Sequence, residues 1–281
     1  MISKIHDIAK QLQAAYPADE AEALAWWIAE EETGLSRTQL QIGCKDTTIF
    51  ANMQKIQAII DRLLHFEPIQ YIFGHTLWNG LDLLLSPDTL IPRPETAELV
   101  DKITNHQSPI INHLSPIRVL DVGTGSGCIA IALKKAHPEW QITGIDISPE
   151  AINIARQNAR RNGVQVDFHV ADIFNLQAPI TNHQYDLVVS NPPYICESEK
   201  ASMRPNVLNY EPATALFVPD NDPLRFYRRI AELKLGTYLF FEINEAYPAE
   251  LTALLGGLGY TDIHITHDIY GKPRIIEARM A

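Results

Sequence analysis

Residues 118–147 read as strand, glycine-rich turn, helix and strand, and that order constrains the chain more than any other stretch. The apolar run Arg118-Val119-Leu120-Asp121-Val122 is too short for a helix. It meets Gly123-Thr124-Gly125-Ser126-Gly127 at once, a helical pattern then extends to His137, and 141–147 supplies the second strand. Two strands joined through a helix lie parallel, with the crossover right-handed, so the chain is committed to an α/β, doubly wound sheet. Ser148-Pro149-Glu150 opens the next helix, which runs to Gly163, and 164–170 is a third strand closed by Asp172. Tyr185-Asp186-Leu187-Val188-Val189-Ser190 is the fourth. A helix from Asp222 through Ile230, a strand over 238–243, a helix over 248–255 and strands over 263–266 and 274–279 complete the pattern.

Upstream the period is different. Ile5, Ile8, Ala9 and Leu12 recur at helical spacing, and a second helix over 19–32 carries Leu24, Trp26, Trp27 and Ile28 and ends at Gly34. Ser36 caps a short third helix, and Asn52 caps another running through Ile56, Ile59, Ile60, Leu63 and Leu64. This is a small helical bundle with the tryptophan pair in its core. The helical pattern breaks over 67–74, and Leu81, Leu83 and Leu85 then alternate ahead of a Ser86-Pro87-Asp88 turn and a strand over 89–91. We therefore expect a helical domain over 1–74, a β-hairpin linker over 75–92 and a larger α/β domain over 93–281. Pro92-Arg93-Pro94-Glu95-Thr96 opens that domain's first helix. Arg93, fixed between two prolines, is either an oriented substrate contact or an exposed residue of a rigid linker.

Several classes are disfavoured by composition. The net charge of −11 over 281 residues argues against gripping a nucleic-acid duplex, and the clusters Arg156, Arg160, Arg161 and Arg225, Arg228, Arg229 read as solvated helix faces. No apolar run is long enough to span a bilayer, and the first residues reach Asp7 without a signal-peptide profile, so a cytoplasmic protein is expected. Cys44, Cys128 and Cys196 lack paired spacing, which supports neither disulfides nor a metal site. No exposed apolar helix is evident, and we expect a monomer.

The chemistry concentrates at strand ends. Glycines at 123, 125 and 127 let backbone approach a ligand, and Asp146, closing the second strand, can accept from both hydroxyls of a ribose. A nucleoside-bearing cofactor follows, either a dinucleotide or S-adenosylmethionine. Cys128 occupies the sixth position, where the dinucleotide fingerprint takes a small residue, and the Asp121 carboxylate beside the loop suits an ammonium group better than a pyrophosphate. Asp172, or the backbone beside it at Ile173, lies where an adenine edge would be read; an ordinary strand-ending turn accounts for it equally well. After the fourth strand, Asn191-Pro192-Pro193-Tyr194 forces an extended exit with carbonyls that no helix uses. The Asn191 side-chain oxygen and the Pro192 carbonyl are two fixed acceptors, with Pro193 keeping the exit stiff and Tyr194 forming a flat wall. That combination suits a planar NH2 group.

Residues 123–127, Asp146 and Asn191-Pro192-Pro193-Tyr194 resemble class I, Rossmann-like, S-adenosylmethionine-dependent methyltransferases acting on planar nitrogens. Pro68-Ile69-Gln70-Tyr71-Ile72-Phe73-Gly74, Leu90-Ile91-Pro92-Arg93-Pro94-Glu95-Thr96, residues 190–195 and Glu211-Pro212 are similar, more narrowly, to the HemK/PrmC family. The resemblance implies a helical domain, a connecting hairpin and a seven-stranded catalytic domain. It also implies methylation of the glutamine in the Gly-Gly-Gln motif of peptide chain release factors. Three positions depart from the family's usual residues: Ala97, Pro223 and Asn244. Two other readings stand beside this one: a methyltransferase for nucleic-acid amino groups, and a non-catalytic cofactor-binding scaffold. The helical domain is expected to dock the protein substrate, and Glu20, Glu22, Glu30, Glu31 and Glu32 form either a steering face or a merely solvated one.

Overall fold

The computed structural model describes residues 2–42, 52–106, 116–177, 180–182 and 185–281; Cys44 lies outside them. The chain forms two compact units, Met1–Phe73 with Arg204–Tyr210, and Gly74–Met203 with Glu211–Ala281.

The first unit contains α1 (Ile2–Leu12), α2 (Ala18–Thr33), α3 (Arg37–Gln41), α4 (Met53–Leu64) and α5 (Ile69–Phe73). Ile5 and Leu12 of α1, Ile28 of α2 and Ile56, Ile60 and Leu63 of α4 close its core, with Trp26 buried beside them. Helix ends are set locally. Gly34 terminates α2 at φ 67°, Ser36 and Gln39 form a reciprocal capping box, and Asn52 Oδ1 accepts from the Lys55 amide at 3.0 Å. Much of the acidic run is neutralised within this unit: Glu20 pairs with Arg204 at 3.2 Å, Glu22 with Arg37 at 3.5 Å and Glu32 with Lys55 at 2.8 Å. That favours a paired surface over a steering face.

The second unit opens with a hairpin of β1 (His75–Trp78) and β2 (Leu81–Leu84). The expected partner strand at 89–91 does not form. Asn79 and Gly80 both take positive φ, 46° and 72°, which closes a two-residue turn and pairs β2 with the residues before it. The hairpin is anchored by two asparagines one helical turn apart. Buried Asn158 accepts from the Leu84 amide at 2.7 Å and donates to the Leu84 carbonyl at 3.0 Å, and Asn162 makes the equivalent pair with Asp82 at 3.2 and 2.9 Å.

The chain continues through α6 (Pro94–Thr104), β3 (Arg118–Val122), α7 (Cys128–Ala136), β4 (Gln141–Asp146), α8 (Pro149–Arg161), β5 (Asp167–Val170) and β6 (Tyr185–Ser190). Then come β7 (Ile195–Cys196), α9 (Pro205–Tyr210), α10 (Ala213–Leu216), β8 (Phe217–Val218), α11 (Arg225–Glu232), β9 (Gly236–Glu242), α12 (Pro248–Gly257), β10 (Tyr260–His267) and β11 (Pro273–Met280). The third sheet strand starts at Asp167 and not at 164, because the Val164 amide bonds back to the Ala159 carbonyl and Gly163 turns at φ 70°. Seven strands form one sheet in the order β10-β11-β9-β6-β3-β4-β5, with β11 antiparallel to both neighbours and the other pairs parallel. Alternate residues feed two cores. Val119, Leu187, Val189 and Phe240 meet the α7 and α8 side, while Leu120, Val188, Leu239 and Phe241 meet Tyr227, Ile230 and Leu255.

The winding reverses between β3 and β6. Ligands bind at such a switch point beyond the carboxyl ends of the strands, and both the glycine loop and Asn191 leave from there. Among the described residues no helix is long and apolar enough to cross a membrane.

Candidate active site

A cavity of about 390 Å³ opens at this switch point, in the range of small-molecule sites. Gly123, Gly125, Asp146, Asp172, Ile173 and Asn191 line it, together with Pro192 and Pro193. Thr124, Ser126, Gly127 and Tyr194 do not, and each has work behind the wall.

Thr124 is buried and its hydroxyl donates to Asp121 Oδ2 at 2.6 Å, so Asp121 braces the loop from beneath. Asp121 was expected to face a ligand ammonium; it is instead fully buried and lines no part of the cavity. Burial pushes its carboxyl up to about 7, against the Thr124 hydroxyl and the Ala130 amide. Ser126 is buried, and its carbonyl accepts from Asn158 at 2.9 Å, linking the loop to the hairpin anchor. Gly127 sits at φ 82°, a conformation that strains any side chain, and a Cβ there would press on Ala155, Ile131 and Phe168 side-chain atoms at 3.1 Å each.

Asp146 holds the loop from the ligand side. Its Oδ2 accepts from the Gly125 amide at 2.8 Å and its Oδ1 from the Ser148 amide at 3.0 Å. Each oxygen keeps a lone pair for a second donor, which is what a ribose diol requires. Burial raises this carboxyl above its usual range, opposed by the Ser148, Gly125 and Ile147 amides. Asp172 caps a short turn, its oxygens taking the Phe174 amide at 2.9 Å and the Asn175 side chain at 2.7 Å. That turn presents Ile173 and Phe174 to the cavity.

Two of the three arginines of α11, expected on a solvated face, stabilise this wall, while Arg228 pairs with Asp222 at 2.9 Å. Arg229 donates to the Ile173 carbonyl at 3.0 Å and the Phe174 carbonyl at 3.3 Å, and Arg225 lies over the Phe174 ring at 4.8 Å. On α8, Arg161 pairs with Asp82 at 2.6 Å. Charge runs at helical spacing give no sign of such carbonyl partners, which lie far away in sequence.

Asn191 follows β6, whose last residue, Ser190, donates to the Val122 carbonyl at 2.6 Å and ties the ends of β3 and β6 together. Asn191 Nδ2 donates to Thr96 Oγ1 at 3.3 Å, Thr96 Oγ1 donates to Glu242 Oε2 at 2.7 Å, and the Tyr194 hydroxyl donates to Glu242 Oε1 at 3.2 Å. Glu242 is 3% exposed. Burial raises its carboxyl above the usual range while the two hydroxyls oppose that shift. Burial, then Glu242, pushes the Tyr194 phenol well up. Asn244, one of the departures, donates to the Tyr194 carbonyl at 3.1 Å and so steadies the Pro-Pro-Tyr exit. Ala97 packs against the core, and nothing in the structure explains Pro223.

Arg93 does not line the cavity. Its guanidinium is 2.6 Å from Glu211 Oε1, the Ile91 amide donates to Glu211 Oε2 at 3.2 Å, and Trp78 Nε1 donates to the Arg93 carbonyl at 2.8 Å. Among the described residues no group of three or more His, Cys, Asp or Glu side chains is arranged to hold a metal ion.

Sheet order, switch-point cavity and glycine loop define a class I S-adenosylmethionine-dependent methyltransferase. A cavity of suitable size, bare backbone at Gly123 and Gly125, and free lone pairs on Asp146 fit that cofactor. The methyltransferase domain family matches residues 113–220, and the PrmC N-terminal domain family matches residues 4–74. The chain is 45% identical over 96% of its length to the release factor glutamine methyltransferase of Bacteroides thetaiotaomicron, covering 97% of that protein. It is 39% identical over 95% of its length to that of Flavobacterium psychrophilum, covering 94%. The chain therefore belongs to the release factor glutamine methyltransferase family. At the level of fold it is similar to the hMettl16 catalytic domain solved with a 3′UTR hairpin, with a TM-score of 0.56 and 19% identity over 72% of this chain and 76% of that one.

Asp146→Ala is expected to weaken S-adenosylmethionine binding by about 1.5–3 kcal/mol, since a charged acceptor is lost and the Gly125 and Ser148 amides lose their partner. Calorimetry on the folded variant checks this, and unchanged affinity would remove Asp146 from the site.

Proposed function

We propose that this protein methylates the side-chain amide nitrogen of the glutamine in the Gly-Gly-Gln motif of peptide chain release factors. The observation that carries this reading is Asn191, whose Nδ2 is committed to Thr96, leaving Oδ1 as an acceptor at a residue that lines the cofactor cavity. Bound S-adenosylmethionine supplies an electrophilic methyl group on a sulfonium.

Everything else is placement. An amide nitrogen is a poor nucleophile because its lone pair is delocalised into the carbonyl. Asn191 Oδ1 and the Pro192 carbonyl accept its two N–H bonds, so that the π face of the nitrogen is turned toward the methyl group. Pro193 stiffens the exit, and Tyr194, behind the cavity wall and not the flat wall expected from the sequence, holds the far end of that exit through its hydroxyl's bond to Glu242. The nitrogen takes the methyl group as the carbon–sulfur bond breaks to leave a neutral thioether, and the surplus proton passes to solvent after attack, when the nitrogen is far more acidic, so no side chain need act as base before it. Gly123, Gly125 and Asp146 hold the cofactor's amino acid and ribose parts, while Asp172 and Ile173 border its base.

A free glutamine side chain is too common to be recognised alone, so the helical unit docks on the release factor away from its glutamine loop. Labelled cofactor offered with whole release factor, a short Gly-Gly-Gln peptide, and RNA or DNA tests the reading. Label is expected in the protein, with kcat/KM roughly 10²-fold or more above the peptide. Label in nucleic acid alone would overturn the substrate. Equal rates on protein and peptide would overturn docking.

A further inference from the structure

We propose that Thr96 and Glu242 are positioning residues that lock the Asn191 amide in the one orientation able to accept from the substrate nitrogen. The inference rests on the role given to Asn191 above. Neither residue lines the cavity, and they stand 146 positions apart, one in the first turn of α6 and the other at the carboxyl end of β9.

Donors and acceptors decide the orientation. An ionised carboxylate only accepts, so both hydroxyls against Glu242 must donate to it, Thr96 at 2.7 Å and Tyr194 at 3.2 Å. A hydroxyl has one hydrogen. Having given it to Glu242, Thr96 offers Asn191 only lone pairs, and the group that meets them at 3.3 Å is Nδ2. Rotating the amide by half a turn would set Oδ1 against Oγ1, acceptor against acceptor. The hydrogen bonds therefore run one way, from Asn191 through Thr96 to Glu242, and Oδ1 is kept for the substrate. The same carboxylate holds the Tyr194 hydroxyl, so one buried carboxylate fixes both ends of Asn191-Pro192-Pro193-Tyr194.

Protonation of Glu242 undoes this arrangement. A neutral carboxyl donates to one of the two hydroxyls. If Thr96 receives that hydrogen bond, its own hydrogen is released toward Oδ1 and the amide is free to turn. Glu95 and Arg274 are the charged side chains acting on Glu242; Tyr194, Tyr227 and Cys128 also act on it and stay neutral because burial raises all three. Because Glu242 itself is raised, the loss with falling pH begins above the ordinary glutamate range.

Thr96→Val and Thr96→Ser separate positioning from packing. Valine keeps the shape without the hydroxyl and is expected to lower kcat roughly 10- to 100-fold, with the KM for cofactor little changed, whereas serine stays within about three-fold of the native rate. The acid limb of the kcat profile is expected to flatten in T96V, since Asn191 is then uncoupled from Glu242. Equal rates for T96V and the native enzyme, a T96S as slow as T96V, or an unaltered acid limb in T96V would overturn the proposal. A second reading needs neither substrate nor variant. In the 1H–15N spectrum of the native protein, the Asn191 side-chain NH2 pair is expected to shift as Glu242 titrates, and an NH2 pair that stays fixed across that range contradicts the lock. Should the native enzyme leave release factor unmethylated, the substrate assignment fails while this spectrum still decides the positioning.

Discussion

Asn191→Ala is expected to lower turnover by roughly 10²- to 10³-fold while cofactor affinity stays within a few-fold, because the lost acceptor acts on the nitrogen as it becomes electron-poor. Alanine keeps the backbone between Ser190 and Pro192, and the Ser190 hydroxyl still ties β6 to β3, so the strand end need not move. Thr96 loses a donor but keeps its bond to Glu242. Single-turnover rates and calorimetry on the same preparation separate the two effects. A parallel loss of cofactor affinity would place Asn191 in cofactor binding and not in transfer.

Arg93→Ala is expected to destabilise the fold by about 3 kcal/mol, toward the lower end for a broken buried pair because Arg93 is itself partly exposed. Its partner Glu211 has a side chain fully removed from solvent, and among the described residues the Ile91 amide would remain to hold that charge. Denaturant midpoints at unchanged slope measure the loss. This separates the two readings of the Pro-Arg-Pro stretch: a stable variant that no longer methylates release factor would make Arg93 a substrate contact, whereas an unstable one with normal residual turnover makes it a brace.

What the sequence made legible was local. The glycine loop, Asp146 after its strand, the caps at Ser36, Asn52 and Ser148, and the prolines after Asn191 each act within a few residues and carry their chemistry in residue type. What it concealed depended on pairing across the chain. The hairpin falls inside the expected 75–92, but its partner strand was placed at 89–91 because alternation at 81–85 does not say on which side the partner lies, although Asn79-Gly80 was the signal. Thr96 reads only as part of the helix-opening Pro-Arg-Pro-Glu-Thr stretch and Glu242 only as part of a strand, and the parallel registry of β9 beside β6, with α6 packed on β9, is what brings them together. Asp121 sits beside the loop in sequence, but the strand's alternation aims it into the core. A buried carboxylate ending a central strand, with no basic residue nearby in sequence, was the one available hint of the Glu242 network.

The methyl group is expected to go to a planar side-chain amide nitrogen held at Asn191. Incubating the enzyme with methyl-labelled S-adenosylmethionine and release factor, then locating the label by tandem mass spectrometry, tests it most directly. A single methyl on the side-chain nitrogen of the Gly-Gly-Gln glutamine is expected, with none when that glutamine is replaced by glutamate. Label on another residue, or undiminished label on the glutamate substrate, would contradict it.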